Sequence, residues 1–300
     1  MTPAKATPNL PHSMIICADD YGLREDIDQA ILELCRARRL GAVSCMVALK
    51  RCDRGAMAAL LATRKSLAQG GAERPARPSS EHPHSYTLGP SLRPHIGLHL
   101  TFTHEPAEME PLPVGLYRPR LPNFATLLRR SLTHRLDLAE VKMDISTQYE
   151  LFVQKCGFHP DFIDGHLHTH QLPGIREKLI EFLIGLPAGQ RPWIRNTAMP
   201  LRELRKRSLP WTKAAGIGFF GQRMSNELKA AGLQTNEGFA GIYDFNKGER
   251  YRDYFSSFAD ALTSNGILVV HPGKEEPWRL REFETLKDAS LTQPIASVRT

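Results

Sequence analysis

Short apolar runs alternate with amphipathic segments along most of this 300-residue chain. Runs such as residues 42–49 and 266–270 have the length of buried strands. Between the runs, apolar side chains recur at helical spacing, as in Ile27, Ile31 and Leu34. This alternation is typical of βαβ units with a mostly parallel sheet. About six strands can be recognised, which predicts an α/β fold and is compatible with a barrel of seven or eight strands.

Polar side chains follow the predicted strands at the points where the strands end. The residues concerned are Asp19, Asp20, His99, Asp164, His166, His168, His170 and His271. Parallel α/β sheets and barrels have their active sites at the carboxyl ends of the strands. We therefore expect these side chains, although distant in sequence, to converge in space.

The segment GHLHTHQ contains three histidines at alternate positions, which would share one face if the segment were extended. Neutral imidazole is a common ligand of divalent metals. One Asp and two His would leave coordination positions open for water and substrate, as a catalytic metal needs. Single residues also have structural interpretations, because an Asp often caps a helix and a lone His in an apolar strand is more often a core residue. The whole cluster favours metal-assisted hydrolysis, with a spare Asp as base and a spare His as acid.

The chain is basic, with 39 Lys and Arg against 32 Asp and Glu, a net charge of +7 and a pI near 9.2. Such an excess is one property of nucleic-acid-binding proteins. Basic residues cluster within 118–135 and 202–207, but neither cluster matches a recognised nucleic-acid motif. We therefore expect solvated surfaces and no nucleic-acid partner. A weaker alternative is contact with an anionic lipid or sugar carrier.

The five cysteines form no CxxC pair, and no apolar run reaches the length of a membrane span. Cys17 and Cys45 lie within apolar runs and are predicted to be small buried hydrophobes. Residues 1–12 contain no apolar stretch of signal-peptide length and are predicted to be a flexible tail. Together these features predict a cytoplasmic protein without a membrane span. Neither a monomer nor a homo-oligomer is favoured.

Four ordered segments resemble motifs of the YdjC-like carbohydrate deacetylases, a family that includes chitooligosaccharide and hopanoid-biosynthesis deacetylases. They are CADDYGL, GLHLTFT, PDFIDGHLHTHQLP, and VVHPG followed by REFETL. The motifs span Ile15 to Leu286, so the resemblance covers nearly the whole chain. It implies a distorted (β/α) barrel of seven or eight mostly parallel strands. It also implies removal of the acetyl group from an N-acetylated amino sugar or glycoconjugate, giving acetate and a free amine.

The resemblance further implies roles for single residues. The implied ligands of one divalent metal, Mg or Zn, are Asp20, His99 and His166. Asp19 would be the catalytic base, and Arg195 would pair with it and keep it ionised. His271 is the predicted acid, by analogy with the wider deacetylase superfamily. The predicted substrate-binding residues are Tyr21, Asp164, His168 and His170.

The extent of the motifs predicts one deacetylase barrel domain over residues 13–290, followed by a C-terminal tail at 291–300. A Pro/Gly/Ser-rich insertion near residues 69–94 would cover or flank the site. Four positions depart from the family's usual residues without removing a metal ligand: Arg24, Asp28, Gly165 and Leu167. These departures bear on substrate preference rather than on the chemistry.

Other functions are compatible with parts of the pattern. A different metal-dependent hydrolase, of phosphoesterase or amidohydrolase type on a similar barrel, would also contain HxH and Asp clusters. A second metal or phosphate release would identify it. A nucleic-acid-binding protein would need a basic stripe interleaved with aromatic residues. An inactive sugar-binding relative is disfavoured by the intact set of metal ligands.

Overall fold

The computed structural model describes five ranges of the chain: residues 14–69, 93–104, 121–199, 211–262 and 265–288. Both predicted tails lie outside these ranges, as does nearly all of the predicted insertion. The predictions for those segments therefore stay untested.

In the described ranges, seven strands form one parallel sheet. They are β1 Ile15–Tyr21, β2 Ala42–Cys45, β3 His95–Leu100, β4 Phe162–Gly165, β5 Trp193–Ile194, β6 Gly238–Ala240 and β7 Gly266–Val270. Their spatial order is β5-β4-β3-β2-β1-β7-β6, and every neighbouring pair is parallel. The sheet curls into a partial barrel surrounded by helices, which confirms the predicted α/β distorted barrel.

Eight α-helices in the same ranges connect and cover the strands. They are α1 Glu25–Arg36, α2 Arg54–Gln69, α3 Phe124–Leu132, α4 Leu138–Cys156, α5 Ile175–Gly185, α6 Trp211–Ala230, α7 Tyr251–Ala261 and α8 Pro277–Lys287. Sequence signals explain the ends of α4. Asp137 caps its first turn by accepting hydrogen bonds from the amides of Ala139 and Glu140. Gly157, with φ of 77°, ends it in the left-handed conformation that glycine adopts without strain.

The strands are almost entirely buried, as both faces of a covered parallel sheet must be. Side chains on the outer face pack with the helices in the main core. A second apolar cluster comes from the opposite strand face and contains Ile15, Cys17, Ala42, Phe162, Trp193 and Ile267. Gly97 is required beside it, because a Cβ there would lie 2.4 Å from the ring of Phe162. Beyond this cluster, polar residues lie at the carboxyl ends of the same strands.

The sheet edges approach each other between β5 and the segment before β6, where the barrel is most distorted. The amide of Ile194 donates to the carbonyl of Gln234 at 2.9 Å, and Ile194 forms an isolated bridge with Thr235. Beyond it, side-chain amides replace strand pairing. The Asn196 amide donates to Asn236 Oδ1 at 2.8 Å, and Asn236 Nδ2 donates back to the Asn196 carbonyl at 3.0 Å. These bonds satisfy backbone groups that a regular strand ladder would otherwise pair.

The predicted burial of Cys17 and Cys45 is confirmed. All five cysteines are free and buried, including Cys17 and Cys45. None of the helices in the described ranges is long and apolar enough to cross a membrane.

Candidate active site

Six of the seven strands bring polar residues to one end of the sheet. Asp19 and Asp20 lie in β1, Ser44 in β2, His99 in β3 and Asp164 in β4, while Arg195 and His271 directly follow β5 and β7. Contacts between these side chains, described below, establish the convergence that the sequence predicts. The expected cluster is therefore a physical site at the carboxyl edge of the sheet.

An irregularity in β1 turns two consecutive carboxylates into this site. The pairing of β1 with β2 shifts register between Ala18 and Tyr21, and Asp20 has a left-handed backbone with φ of 68°. In a regular strand, neighbouring side chains point to opposite faces, whereas a bulge re-aims one of them. A left-handed non-glycine residue costs roughly 1–3 kcal/mol, and such strain is concentrated at functional sites. The surrounding contacts of Asp20 must therefore hold it in place.

Asp19 is bound by a fully buried arginine. Arg195 Nη1 donates to Asp19 Oδ1 and Arg195 Nη2 donates to Asp19 Oδ2, both at 2.6 Å. Arg195 Nη1 also lies 3.0 Å from Asp164 Oδ2. Burial lowers the pKa of Arg195, but Asp164 and Asp19 raise that pKa above its ordinary value. The ion pair predicted between Asp19 and Arg195 is thus present, with the guanidinium serving two carboxylates.

Asp20, His99 and His166 converge at a second position. Asp20 Oδ1 lies 3.2 Å from His166 Nδ1 and 3.6 Å from His99 Nε2. All three residues are buried, and a ligand atom from each lies within 4.8 Å of the others. One carboxylate oxygen and two imidazole nitrogens form a donor set that suits a divalent first-row metal.

A second group of potential donors contains Cys17, Asp19 and Asp164. Arg195 already supplies the positive charge there, through its contacts with both carboxylates. A metal ion beside that guanidinium would be repelled by it. The described residues therefore favour a single metal position, formed by Asp20, His99 and His166.

The ring of His99 is held through Nδ1, while its other nitrogen, Nε2, faces Asp20. Its Nδ1 lies 2.6 Å from Asp164 Oδ1, and Ser44 Oγ donates to the same oxygen at 2.5 Å. Burial lowers the pKa of His99, but Asp164 and Asp19 outweigh burial and raise it to about 10. A carboxylate on the far nitrogen is the usual support of a metal-ligating histidine, because it fixes the ring and its tautomer. The Asp164 contacts thus strengthen the fit of His99 to a metal.

The three histidines of GHLHTHQ do not share one face, because the segment is not extended. Residues His166–Gln171 form a tight turn in which Leu167 and His168 have φ of 52° and 58°. Thr169 Oγ1 donates to the His166 carbonyl at 2.8 Å and stabilises that turn. His170 points away, with Nε2 at 2.8 Å from the Arg195 carbonyl. Of the three, His166 alone belongs to the Asp20 cluster.

The four predicted substrate-binding residues have different environments. Tyr21 is buried, and its hydroxyl donates to the Ala56 carbonyl at 2.6 Å. Asp164 and His170 are also fully buried behind the site. His168 is half-buried, with its ring edge-on to Phe239 and no hydrogen-bond partner for its buried Nδ1. His168 is therefore the best placed of the four to contact a ligand.

His271 lies at the opposite side of the site from His99. Its Nε2 is 4.0 Å from Asp19 Oδ2, and its amide donates to Glu282 Oε2 at 2.5 Å. Burial lowers the pKa of His271 to about 4, so its ring is neutral at pH 7. Glu282 also accepts a hydrogen bond of 2.8 Å from the hydroxyl of Tyr243. This network fixes the backbone that carries His271.

Sequence reasoning missed three residues of the site: Ser44, Arg279 and Glu282. Glu282 lies within REFETL and had a usable signal, whereas Ser44 lies inside the apolar run predicted as a strand over residues 42–49 and had none. Arg279 lies inside helix α8 and had none, yet its Nη2 donates to Asp20 Oδ2 at 2.7 Å. Burial raises the pKa of Asp20, but Arg279 and the hydrogen bonds from the histidines hold that pKa well below its ordinary value.

The chain is similar to members of one known family along nearly its whole length. The profile of the YdjC-like protein family matches residues 13–297. The chain is 28% identical to a chitooligosaccharide deacetylase of Proteus mirabilis strain HI4320, over 96% of this chain and 95% of that protein. It is 40% identical to a carbohydrate deacetylase of Xenopus laevis, over 52% of this chain and 61% of that protein.

A solved structure supports the fold alone. It is an Enterococcus faecalis V583 protein, provisionally described as a cellobiose-phosphate cleavage protein. The superposition has a TM-score of 0.57 at 16% identity and covers 94% of this chain and 92% of that chain. Identity at that level says nothing about shared substrates.

Proposed function

This chain belongs to the YdjC-like family, and on that premise we propose that it is a metal-dependent carbohydrate deacetylase. It removes the acetyl group from an N-acetylated amino sugar or glycoconjugate and releases acetate and a free amine. Relatives named as chitooligosaccharide and carbohydrate deacetylases support this reaction class. The observation that carries the proposal is the buried Asp19–Arg195 pair next to three converging metal donors.

Asp20, His99 and His166 would hold one divalent metal ion. Two imidazoles suit Zn²⁺ and similar ions, whereas Mg²⁺ prefers oxygen ligands, so we assign Zn²⁺ or another first-row ion in preference to Mg²⁺. When bound, the metal supplies Lewis acidity towards the acetamide carbonyl. Asp164 and Ser44 act through His99 by fixing its ring, which replaces the substrate-binding role predicted for Asp164.

Side chains of the protein carry out the proton transfers. Asp19 accepts a proton from the water that attacks the carbonyl carbon, while Arg195 holds and orients the carboxylate. The carbon–nitrogen bond then breaks. His271 is neutral at rest, and its Nε2 lies 4.0 Å from Asp19 Oδ2, so it can take the proton held by Asp19 and pass it to the departing amine. This transfer restores both groups. His168 contacts the substrate beside this pair.

Other elements of the hypothesis stay predictions. A sugar attached to an anionic or lipid group and a cytoplasmic location were inferred from composition, and no contact described above bears on either. The phosphoesterase alternative would be favoured by a second metal position, which Arg195 obstructs among the described residues.

Acetate release tests the proposal. Chelator-treated protein is reloaded with Zn²⁺, Co²⁺ or Mg²⁺ and incubated with N-acetylglucosamine, chitooligosaccharides of two to four units, and sugar phosphates. We expect equal amounts of acetate and free amine with at least one N-acetyl sugar, and no phosphate. The matched control is Asp137→Asn, an exposed helix cap, which should leave the rate unchanged. Phosphate release without acetate would contradict the proposal.

A further inference from the structure

The two oxygens of Asp20 have different environments. Oδ1 faces His166 Nδ1 at 3.2 Å and His99 Nε2 at 3.6 Å. Oδ2 accepts a hydrogen bond of 2.7 Å from Arg279 Nη2. The carboxylate is therefore divided between a potential metal position and an arginine.

Arg279 is itself held on several sides. Its guanidinium lies 4.5 Å from the ring centroid of Trp278, and its Nη1 donates to the His271 carbonyl at 3.3 Å. Arg279 Nε forms an ion pair of 2.9 Å with Glu276 Oε2. Glu276 in turn accepts hydrogen bonds of 2.7 and 2.6 Å from the two terminal nitrogens of Arg24. Alternating charges thus connect the surface to the buried Asp20.

We propose that Arg279 is a positioning residue that reserves Oδ2 of Asp20, so that Asp20 can bind a metal ion only through Oδ1. This inference rests on the metal-ligand role that the proposed function gives to Asp20. A carboxylate that binds through both oxygens occupies two coordination positions. Restricting Asp20 to one oxygen keeps a position open for water or substrate, as a catalytic site requires.

Arginine is suited to this task because its planar fork donates in several directions. One nitrogen binds Asp20, another binds the backbone of His271 and the third faces Glu276. The left-handed backbone of Asp20 is a further reason for the contact with Arg279, since a strained residue keeps its orientation only when its neighbours enforce it. Lysine would restore one contact of the three.

Cobalt(II) binding tests the proposal without substrate. The visible absorption of Co²⁺ weakens as its coordination number rises, so it reports whether Asp20 gains a second bound oxygen. We expect Arg279→Gln to bind Co²⁺ with clearly weaker absorption than the wild-type protein, and Arg279→Lys to recover most of the intensity. The matched control is Arg281→Gln on the same helix, an exposed residue paired with Glu284 at 2.9 Å, which should match the wild type.

Activity provides a second readout. Arg279→Gln should lower acetate release by roughly 10–100-fold, the usual cost of losing a residue that supports a metal ligand. If Arg279→Gln does not fold, Glu276→Gln keeps the arginine and should shift the Co²⁺ absorption in the same direction by less. A wild-type Co²⁺ spectrum in both Arg279→Gln and Glu276→Gln would overturn the proposal. Equal changes in Arg279→Lys and Arg279→Gln would also overturn it. Lysine should restore one of the three contacts and glutamine should restore none, so the two variants should differ.

The outcomes separate this proposal from the proposed function. Co²⁺ absorption that depends on Arg279, in a protein that releases no acetate, would leave the positioning role standing and reject the deacetylase assignment. A wild-type protein that fails to bind Co²⁺ would overturn the positioning role, because Asp20 would then have no metal to ligate.

Discussion

Two adjacent aspartates, each 2% exposed, are bound by two different arginines in two different ways. Arg195 binds both oxygens of Asp19 from inside the sheet, at 2.6 Å each. Arg279 binds one oxygen of Asp20 from helix α8, at 2.7 Å. The first pair is sealed in the protein interior, whereas the second is connected through Glu276 and Arg24 to the surface.

The comparison gives a physical reason for the different roles proposed for the two aspartates. A carboxylate whose two oxygens both bind one guanidinium is held in a fixed orientation and is poorly placed to ligate a metal. A carboxylate bound through one oxygen keeps the other for a metal. Sequence position alone does not separate the two, because both belong to the same ADD motif.

The largest effect is expected from Asp20→Asn. The change keeps the shape of the side chain but removes its charge, which is the anionic part of the metal site. We expect bound Zn²⁺ to fall from one per chain to none and acetate release to be lost. Metal content after dialysis, measured by atomic emission, checks the first point. Full Zn²⁺ occupancy in this variant would show that the metal lies elsewhere.

Asp19→Asn should separate metal binding from turnover. The variant keeps Asp20, His99 and His166, so bound Zn²⁺ should stay near one per chain. Loss of the base should lower kcat by roughly 10²–10⁴-fold, the usual contribution of general base catalysis. Equal loss of metal in Asp19→Asn and Asp20→Asn would remove the distinction between the two aspartates.

Stability should distinguish the two arginines. Arg195→Gln leaves Asp19 and Asp164 buried without their shared counter-charge, which we expect to cost about 3–5 kcal/mol of unfolding free energy. Arg279→Gln should cost less, because Asp20 retains contacts with two histidines. Urea unfolding measures both. Arg191→Gln, an exposed arginine that binds main-chain carbonyls, is the control and should lose less than either.

The smallest effect is expected from Ser44→Ala. It removes a hydrogen bond to Asp164 and a 3.0 Å contact with His99 Nδ1, and leaves the contact between Asp164 and His99 in place. We expect a loss of about 1 kcal/mol in stability, as for one hydrogen bond, with Zn²⁺ still bound. Ser146→Ala, which removes a bond to the Lys142 carbonyl on an exposed helix face, is the matched control. A Ser44→Ala protein without metal would give Ser44 a role beyond the orientation of Asp164.

Local signals predicted much of the chain. Apolar runs correctly located strands such as β7, and Gly157 marked the end of α4. The seventh strand, β6, is only three residues long and carried no recognisable pattern. The turn after β4 separates three histidines that would share one face only in an extended segment. No local signal indicates that Leu167 and His168 adopt left-handed conformations.

The amino-acid sequence alone placed the chemical groups at the ends of apolar runs, because a parallel sheet aligns the carboxyl ends of its strands. It thereby determined the α/β class and the residue types of the site. Asp20 meets His166 across 146 positions of the chain. The two arginine–aspartate contacts span 176 and 259 positions. Those contacts exist only after the barrel curls and helix α8 packs against its edge. Tertiary structure therefore decided which arginine contacts each of two chemically identical aspartates.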